Sequence, residues 1–96
     1  MFDKMKQLME MKKQADQLKR ELDAQTVETN DVRGIKVVIN GSQFFKSITI
    51  DEALINEGNK AGLERDLLRS VNAAVKASQL MAAKRMQEIM PGLPGM

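Results

Sequence analysis

Residues 34–51, GIKVVINGSQFFKSITID, contain two runs of alternating apolar and polar side chains separated by a turn signal. In the first run three β-branched side chains share one face of a strand: Ile35, Val37 and Ile39. In the second run Ile48 and Ile50 continue the alternation, which is typical of strands buried on one side. Asn40 and Gly41 between the runs are a strong hairpin signal, because both residues tolerate positive φ. This stretch therefore predicts an antiparallel β-hairpin with one apolar face.

A weaker strand precedes the hairpin at residues 25–30, QTVETN. One face of this strand would carry Thr26, Glu28 and Asn30, and the other would carry Gln25, Val27 and Thr29. Gly34 marks the turn that separates it from the hairpin. The three strands predict an antiparallel meander.

Helical periodicity precedes the strands, in residues 2–23. Apolar side chains recur there at intervals of three and four and predict one seam along a helix: Leu8, Met11, Ala15, Leu18 and Leu22. The segment therefore predicts a long N-terminal helix.

Helical signals also follow the strands. Asp51 is placed to cap a short helical segment at residues 52–56, and from residue 60 to residue 90 a period of 3.6 predicts a long C-terminal helix. A proline ends this helix, so residues 91–96 are expected to form a flexible tail after a single domain at residues 1–90. The predicted fold class is α+β, with a long helix at each end of the meander.

The composition excludes most classes of enzyme. The chain has no His and no Cys, so the usual zinc ligands, imidazole acid-base catalysts and thiol nucleophiles are absent. Ser42, Ser47 and the scattered carboxylates show no nucleophile-base spacing or metal cluster, and no glycine-rich phosphate loop is present. We expect no catalytic activity, cofactor, metal or small-molecule substrate.

The chain also lacks the sequence features of membrane and exported proteins. No apolar run approaches the roughly 20 residues that cross a bilayer, and no apolar signal segment follows the charged residues near the start. We expect a cytoplasmic protein without membrane contact.

The lengths of the predicted elements favour a homodimer. Helices of roughly 30 to 45 Å flank strands of only about 17 Å, so the apolar seams extend beyond the sheet and need a second surface. A narrow stretch of the last helix would allow close approach by a partner: Ala73, Ala74, Ala77 and Ser78. We expect a symmetric dimer with projecting helical arms. The alternative is a monomer in which the N-terminal helix folds back on the C-terminal helix.

Several motifs resemble the YbaB/EbfC family of bacterial nucleoid-associated proteins, and the resemblance covers essentially the whole chain. They are Gly34-x-x-Val37 leading to Asn40-Gly41, Ile48-x-Ile50-Asp51, and Leu63-Glu64 with Asp66-Leu67 followed by Val71-Asn72-Ala73-Ala74. The resemblance implies a small α+β subunit that dimerises through its central region and projects helical arms. It also implies that the protein binds DNA and helps to organise or regulate the nucleoid.

Basic side chains of the N-terminal helix are the candidates for DNA contact, because a net charge of +2 shows no basic excess by itself. Lys6, Lys13 and Arg20 recur every seven residues, about 10.5 Å along a helix, so they can follow a phosphate backbone. The full candidate set adds Lys12 and Lys19 on the same helix and Lys76, Lys84 and Arg85 on the last helix. The acidic residues Asp3, Glu10, Asp16 and Asp23 are expected on the other flank. Without aromatic stacking residues or a recognition helix, we expect phosphate contacts to double-stranded DNA and weak sequence preference.

Two alternatives remain open at this level. The lysines can form an ordinary solvated helix face, since exposed faces of helices are usually charged. The protein can also be a chaperone-like or adaptor protein that grips protein partners between helical arms through exposed Met and Leu side chains. Salt dependence separates the two functions, because DNA binding weakens as salt rises whereas hydrophobic capture persists.

Overall fold

The structure is a computed structural model that describes residues 2–89. Its elements in chain order are α1 (Phe2–Ala24), β1 (Thr26–Val32), β2 (Ile35–Asn40), β3 (Phe45–Ile50), α2 (Glu52–Asn56) and α3 (Lys60–Ile89). This order confirms the predicted α+β class, and both long helices end within two residues of their predicted bounds. Residue 90 and the predicted tail at residues 91–96 lie outside the described part of the chain.

The three strands form one antiparallel sheet in the order β1-β2-β3, as the alternation predicts. Ile35, Val37 and Ile39 of the central strand are at most 1% exposed and form the centre of the core. β1 adds Val27 opposite Ile39 on the same face. The meander and its apolar face are therefore confirmed.

The hairpin turn differs from the predicted one. Positive φ occurs at Gln43, with φ of 67°, and at neither Asn40 nor Gly41. Gly41 serves close packing instead, because a Cβ there would lie 2.8 Å from Leu22 Cδ2 and 3.0 Å from the Leu22 carbonyl oxygen. The expectation of a hairpin is correct, and the N–H of Gln43 donates to the carbonyl oxygen of Asn40 at 3.2 Å, but neither Asn40 nor Gly41 uses positive φ.

α3 packs across β1 and β2 through its smallest side chains. Ala74 and Ser78 are fully buried against this sheet, and Leu67 and Val75 pack around them. Ala74 and Ser78 therefore face the chain's own sheet, and the expectation that they admit a partner is wrong. Small residues lie here because they let the helix axis approach the strands closely.

The apolar face of β3 remains uncovered within the chain. Phe45 and Ile48 point to the same face as the core residues Ile39 and Val37, their partners on β2, yet they are 43% and 45% exposed. The cause is that α3 lies over the other two strands. A large apolar surface is therefore open beside the core.

α1 extends away from the rest of the protomer. Leu18 is buried and Leu22 half-buried, whereas residues 3–17 are all exposed, including Leu8 at 65% and Met11 at 54%. The chain spans 67 Å in its longest dimension and 22 and 17 Å in the others. The N-terminal helix is thus a projecting arm and does not fold back along α3.

The N-termini of α2 and α3 differ in how they are capped. Asp51 precedes α2 as expected, but its side chain makes no capping hydrogen bond. Asn59 caps α3, since its Oδ1 accepts the N–H of Gly62 at 3.0 Å. The sequence analysis predicted no cap at Asn59, although Asn is a preferred N-cap residue.

Candidate nucleic-acid interface

The C-terminal end of α1 is held by the turn between β2 and β3. The N–H of Gly41 donates to the carbonyl oxygen of Leu22 at 2.9 Å, and Nδ2 of Asn40 donates to the carbonyl oxygen of Asp23 at 3.2 Å. The hydroxyl of Ser42 donates to the carboxylate of Asp23. Carbonyls that a helix end leaves without partners are therefore satisfied by the sheet, which fixes the base of the arm. We call Leu22, Asp23, Asn40, Gly41 and Ser42 the arm junction.

A second contact ties α1 to α3 near the same level. Nε of Arg85 lies 2.6 Å from Glu21 Oε2, and another guanidinium nitrogen of Arg85 lies 2.8 Å from Glu88 Oε2. The hydrogen bond from Arg85 lowers the pKa of Glu21, and the hydrogen bonds to Glu21 and Glu88 raise the pKa of Arg85. The guanidinium is already paired with two carboxylates, so Arg85 holds α1 against α3 and is less available to an external phosphate than an unpaired side chain.

The other basic candidates on α1 are free. Their side chains are all exposed, and among residues 2–89 none lies within 4.0 Å of a carboxylate: Lys6, Lys12, Lys13, Lys19 and Arg20. A charge without a protein partner gains most from an external phosphate. These five candidate side chains are therefore available to an external phosphate.

These charges lie on two sides of α1. At about 100° per residue, Lys6, Lys13 and Arg20 lie opposite the apolar seam, whereas Lys12 and Lys19 border the seam. We call the first three residues the basic strip. When a partner covers the seam, the basic strip still faces outward.

Acidic residues are not separated from the basic strip. Glu10 lines the same shallow surface as Lys13 and Arg20, together with Gln14 and Gln17. The expectation of a separate acidic flank is therefore wrong for Glu10. The reason is geometric, because Glu10 and Lys13 are three residues apart and lie next to each other on a helix.

The two candidate lysines of α3 are exposed on different surfaces. Lys84 lines a surface with Arg85 and Gln25, close to the end of α1. Lys76 lines a groove with Ala73, Ala77 and Leu80 along the outer edge of β1. The structure thus brings Lys84 towards the base of the arm and places Lys76 beside the sheet edge.

The described part of the chain shows no alternative chemical centre. Among residues 2–89 no group of three or more Asp or Glu side chains could hold a metal ion. No helix within this range is long and apolar enough to cross a membrane.

The sequence did not predict the contacts of the arm junction. Asn40 and Gly41 were interpreted only as turn residues, yet both bind the end of α1. No local pattern distinguishes an Asn-Gly turn whose amide groups bind another element from one whose amide groups bind water. The sequence alone could not show that α1 is the element that this turn contacts.

Comparisons with known proteins point to one group. The sequence profile of the YbaB/EbfC DNA-binding family matches residues 1–93. A nucleoid-associated protein of Desulforamulus reducens is 37% identical over 95 residues, which cover 96% of this chain and 90% of that protein. A nucleoid-associated protein of Syntrophobacter fumaroxidans is 31% identical over 98 residues, which cover 99% of this chain and 89% of that protein.

A shorter match carries no functional name. An uncharacterized protein of Mycoplasma pneumoniae, the MG134 homolog, is 42% identical over 62 residues. The match covers 65% of this chain and 62% of that protein.

Proposed function

This chain belongs to the YbaB/EbfC DNA-binding family, and from that membership we propose that it is a nucleoid-associated protein that binds double-stranded DNA as a homodimer. The observation that carries the proposal is the exposed α1 arm, whose basic side chains have no carboxylate partner in the described range. The protein's place of action is then the nucleoid.

The basic strip supplies the phosphate contacts. Lys6, Lys13 and Arg20 span about 21 Å along one side of α1, and B-DNA carries one phosphate charge per about 1.7 Å of axis. Lys12 and Lys19, which border the apolar seam, add phosphate contacts from another side of α1. Lys84 adds a contact at the base of the arm. Phosphate contacts carry no sequence information directly, so binding has weak sequence preference and depends on DNA shape.

A second copy of the chain completes the binding unit. In the single chain, large apolar side chains on β3 and along the arm are exposed to solvent: Phe45, Ile48, Leu8 and Met11. Contiguous exposed apolar surface is typical of an interface, and a two-fold pair would double the phosphate contacts. A single-chain mass in sedimentation at micromolar concentration would contradict the dimer.

Paired arms have a consequence for DNA itself. Two basic strips held by one dimer contact separate stretches of phosphate backbone, so binding changes the path of the duplex between them. Changed DNA conformation near promoters is the route by which the protein affects gene expression. Circularisation of short duplexes by ligase, with and without the protein, measures this change.

The exposed Met5, Leu8, Met9 and Met11 favour a second candidate function, an adaptor that grips protein partners. Flexible methionine side chains suit variable partner surfaces. In that case the lysines would serve solubility, and partner capture would persist in salt.

A salt titration separates the two functions. Fluorescence anisotropy of random and AT-rich duplexes is measured against purified protein at several salt concentrations. We expect similar affinities for both duplexes and a steep fall in affinity as salt rises. Absence of binding at low salt would contradict the proposal and favour the adaptor.

A further inference from the structure

The direction of the α1 arm depends on one buried side chain. Asn40 is 3% exposed, and its Oδ1 accepts the N–H groups of Ser42 at 3.0 Å and Phe44 at 2.8 Å. Its Nδ2 donates to the carbonyl oxygen of Asp23 at the end of α1, at 3.2 Å. Its backbone carbonyl accepts the hydroxyl of the fully buried Ser78 on α3, at 2.7 Å. One residue therefore contacts α1, the β2–β3 turn and α3.

We propose that Asn40 is the positioning residue of the arm, because it sets the angle between α1 and α3 on which simultaneous phosphate contact by their basic side chains depends. The inference rests on the proposed DNA-binding function. Within the side chain the two roles are separate: Oδ1 organises the turn, and Nδ2 holds α1.

The length of α1 amplifies any change at the arm junction. Lys6 lies about 24 Å from Leu22 along the helix, so a tilt of about 10° displaces Lys6 by about 4 Å. A displacement of this size equals the reach of an ion pair, about 4 Å. A small rotation at Asn40 therefore removes contacts at the distal end of the arm.

The packing of Gly41 supports the same assignment independently. A Cβ at this position would lie 2.8 Å from Leu22 Cδ2 and 3.0 Å from the Leu22 carbonyl oxygen. Because φ at Gly41 is not positive, an alanine meets no backbone strain there. The three atoms nearest to its methyl group all belong to Leu22, so the group would push the base of the arm away from the turn.

The variant Asn40→Asp separates the two roles of the side chain. A carboxylate still accepts the N–H groups of Ser42 and Phe44, but it has no N–H for the carbonyl of Asp23. Asn72→Asp is the matched control, because it adds the same charge at an exposed position on α3. Gly41→Ala is the second variant, and it changes no charge.

Two measurements are made on each variant. The chain has no Cys, so spin labels on cysteines introduced at the exposed residues Met9 and Gln79 report the distance between α1 and α3. Labelled chains are mixed with excess unlabelled wild type, so that distances within one chain dominate. DNA affinity is measured by anisotropy at low salt, and thermal unfolding checks that each variant is folded.

We expect Asn40→Asp and Gly41→Ala to unfold cooperatively. We expect the distance between the two spin labels to shift or broaden by about 3 Å or more, because the length of α1 amplifies a small tilt at the arm junction. We expect DNA affinity to fall about tenfold below that of Asn72→Asp, as when one or two phosphate contacts are lost.

An unchanged label distance in folded Asn40→Asp would overturn the proposal. If Asn40→Asp does not fold, Gly41→Ala decides by the same distance. A shifted distance in a protein whose wild type binds no DNA would uphold the positioning role and refute the proposed function.

Discussion

Arg85 Nε lies 2.6 Å from Glu21 Oε2 and joins the two long helices where the arm leaves the body of the protein. The partners are 64 residues apart in the chain, and both side chains are about one-third exposed or less. This ion pair links α3 to α1 at the base of the arm, and the Glu21 side chain must be ionised to form it.

The first prediction concerns the pH dependence of stability. Arg85 lowers the pKa of Glu21 in the folded protein, so the pair stabilises the fold above the ordinary pKa of 4.5 and this contribution is lost as pH falls through the lowered value. Glu21→Gln should therefore lower the thermal midpoint near neutral pH, and the difference from wild type should shrink below about pH 4. Circular dichroism melts across this range measure it. Glu10→Gln on the same helix is the control, and a difference from wild type that stays constant with pH would contradict the assignment.

The second prediction concerns the basic strip. Replacing Lys6, Lys13 and Arg20 together by Gln should weaken binding to all duplex sequences and flatten the slope of log affinity against log salt by about 0.9 for each lost phosphate contact. The matched control removes three exposed charges elsewhere: Arg33, Lys46 and Arg65, each to Gln. Equal losses in both triple variants would show that net charge, and not the strip, carries binding.

The third prediction concerns the open face of β3. Ile48→Lys should convert the dimer to a folded monomer, because Ile48 is 45% exposed in the protomer and a lysine there can reach water until a partner covers it. Ser47→Lys places the same charge on the opposite face of the strand and should leave the dimer intact. Multi-angle light scattering gives the masses. A dimeric Ile48→Lys variant would place the interface elsewhere.

The fourth prediction compares two glycines with positive φ. Gly34 has φ of 91° and a Cβ there would lie 2.8 Å from Leu54 Cδ1, whereas Gly58 has φ of 71° and no atom within 4 Å of a Cβ. Gly58→Ala should cost about 1 kcal/mol of backbone strain, and Gly34→Ala should cost more, about 2 to 3 kcal/mol, because a packing clash is added. Urea unfolding measures both free energies. Equal losses would show that Leu54 moves aside without cost.

The fifth prediction compares two buried serines of α3. Ser78 donates to the carbonyl oxygen of Asn40, whereas Ser70 donates to the carbonyl oxygen of Asp66 one turn earlier in its own helix. Ser78→Ala removes a contact between elements and should cost about 0.5 to 1.5 kcal/mol of unfolding free energy, because the N–H of Gln43 still donates to the Asn40 carbonyl oxygen. Ser70→Ala leaves the helical hydrogen bond of Asp66 in place and should cost less. The reverse order in urea unfolding would contradict this account of the arm junction.

The sequence predicts the elements well because their patterns are local. Alternation at Ile35, Val37 and Ile39 specifies the buried strand, and the repeat of three and four specifies α1 almost to its last residue. A local pattern does not show which other element packs against each face of a helix or strand. The burial of Ala74 by the chain's own sheet follows from packing across the whole fold.

In the candidate site, too, features set by local spacing were predictable and features set by contacts between elements were not. Exposure of Lys6, Lys13 and Arg20 follows from helical spacing opposite an apolar seam. Pairing of Arg85 with Glu21 depends on how two helices meet, so the sequence could not show that Arg85 already has a carboxylate partner within the chain. The turn conformation at Gln43 was equally hidden, because it depends on the side chain of Asn40 accepting the N–H groups of Ser42 and Phe44.

The exposed outer half of α1 has an energetic consequence. Isolated helices shorter than about 12 to 15 residues are marginal in water, and residues 3–17 have little tertiary packing to stabilise them. A second copy that covers the seam would therefore add helical order to the arm, and ordering the arm would lower the net free energy of assembly. Hydrogen exchange along α1 should consequently report assembly, with slow exchange at the arm junction in every state and slow exchange near Leu8 only in the assembled protein.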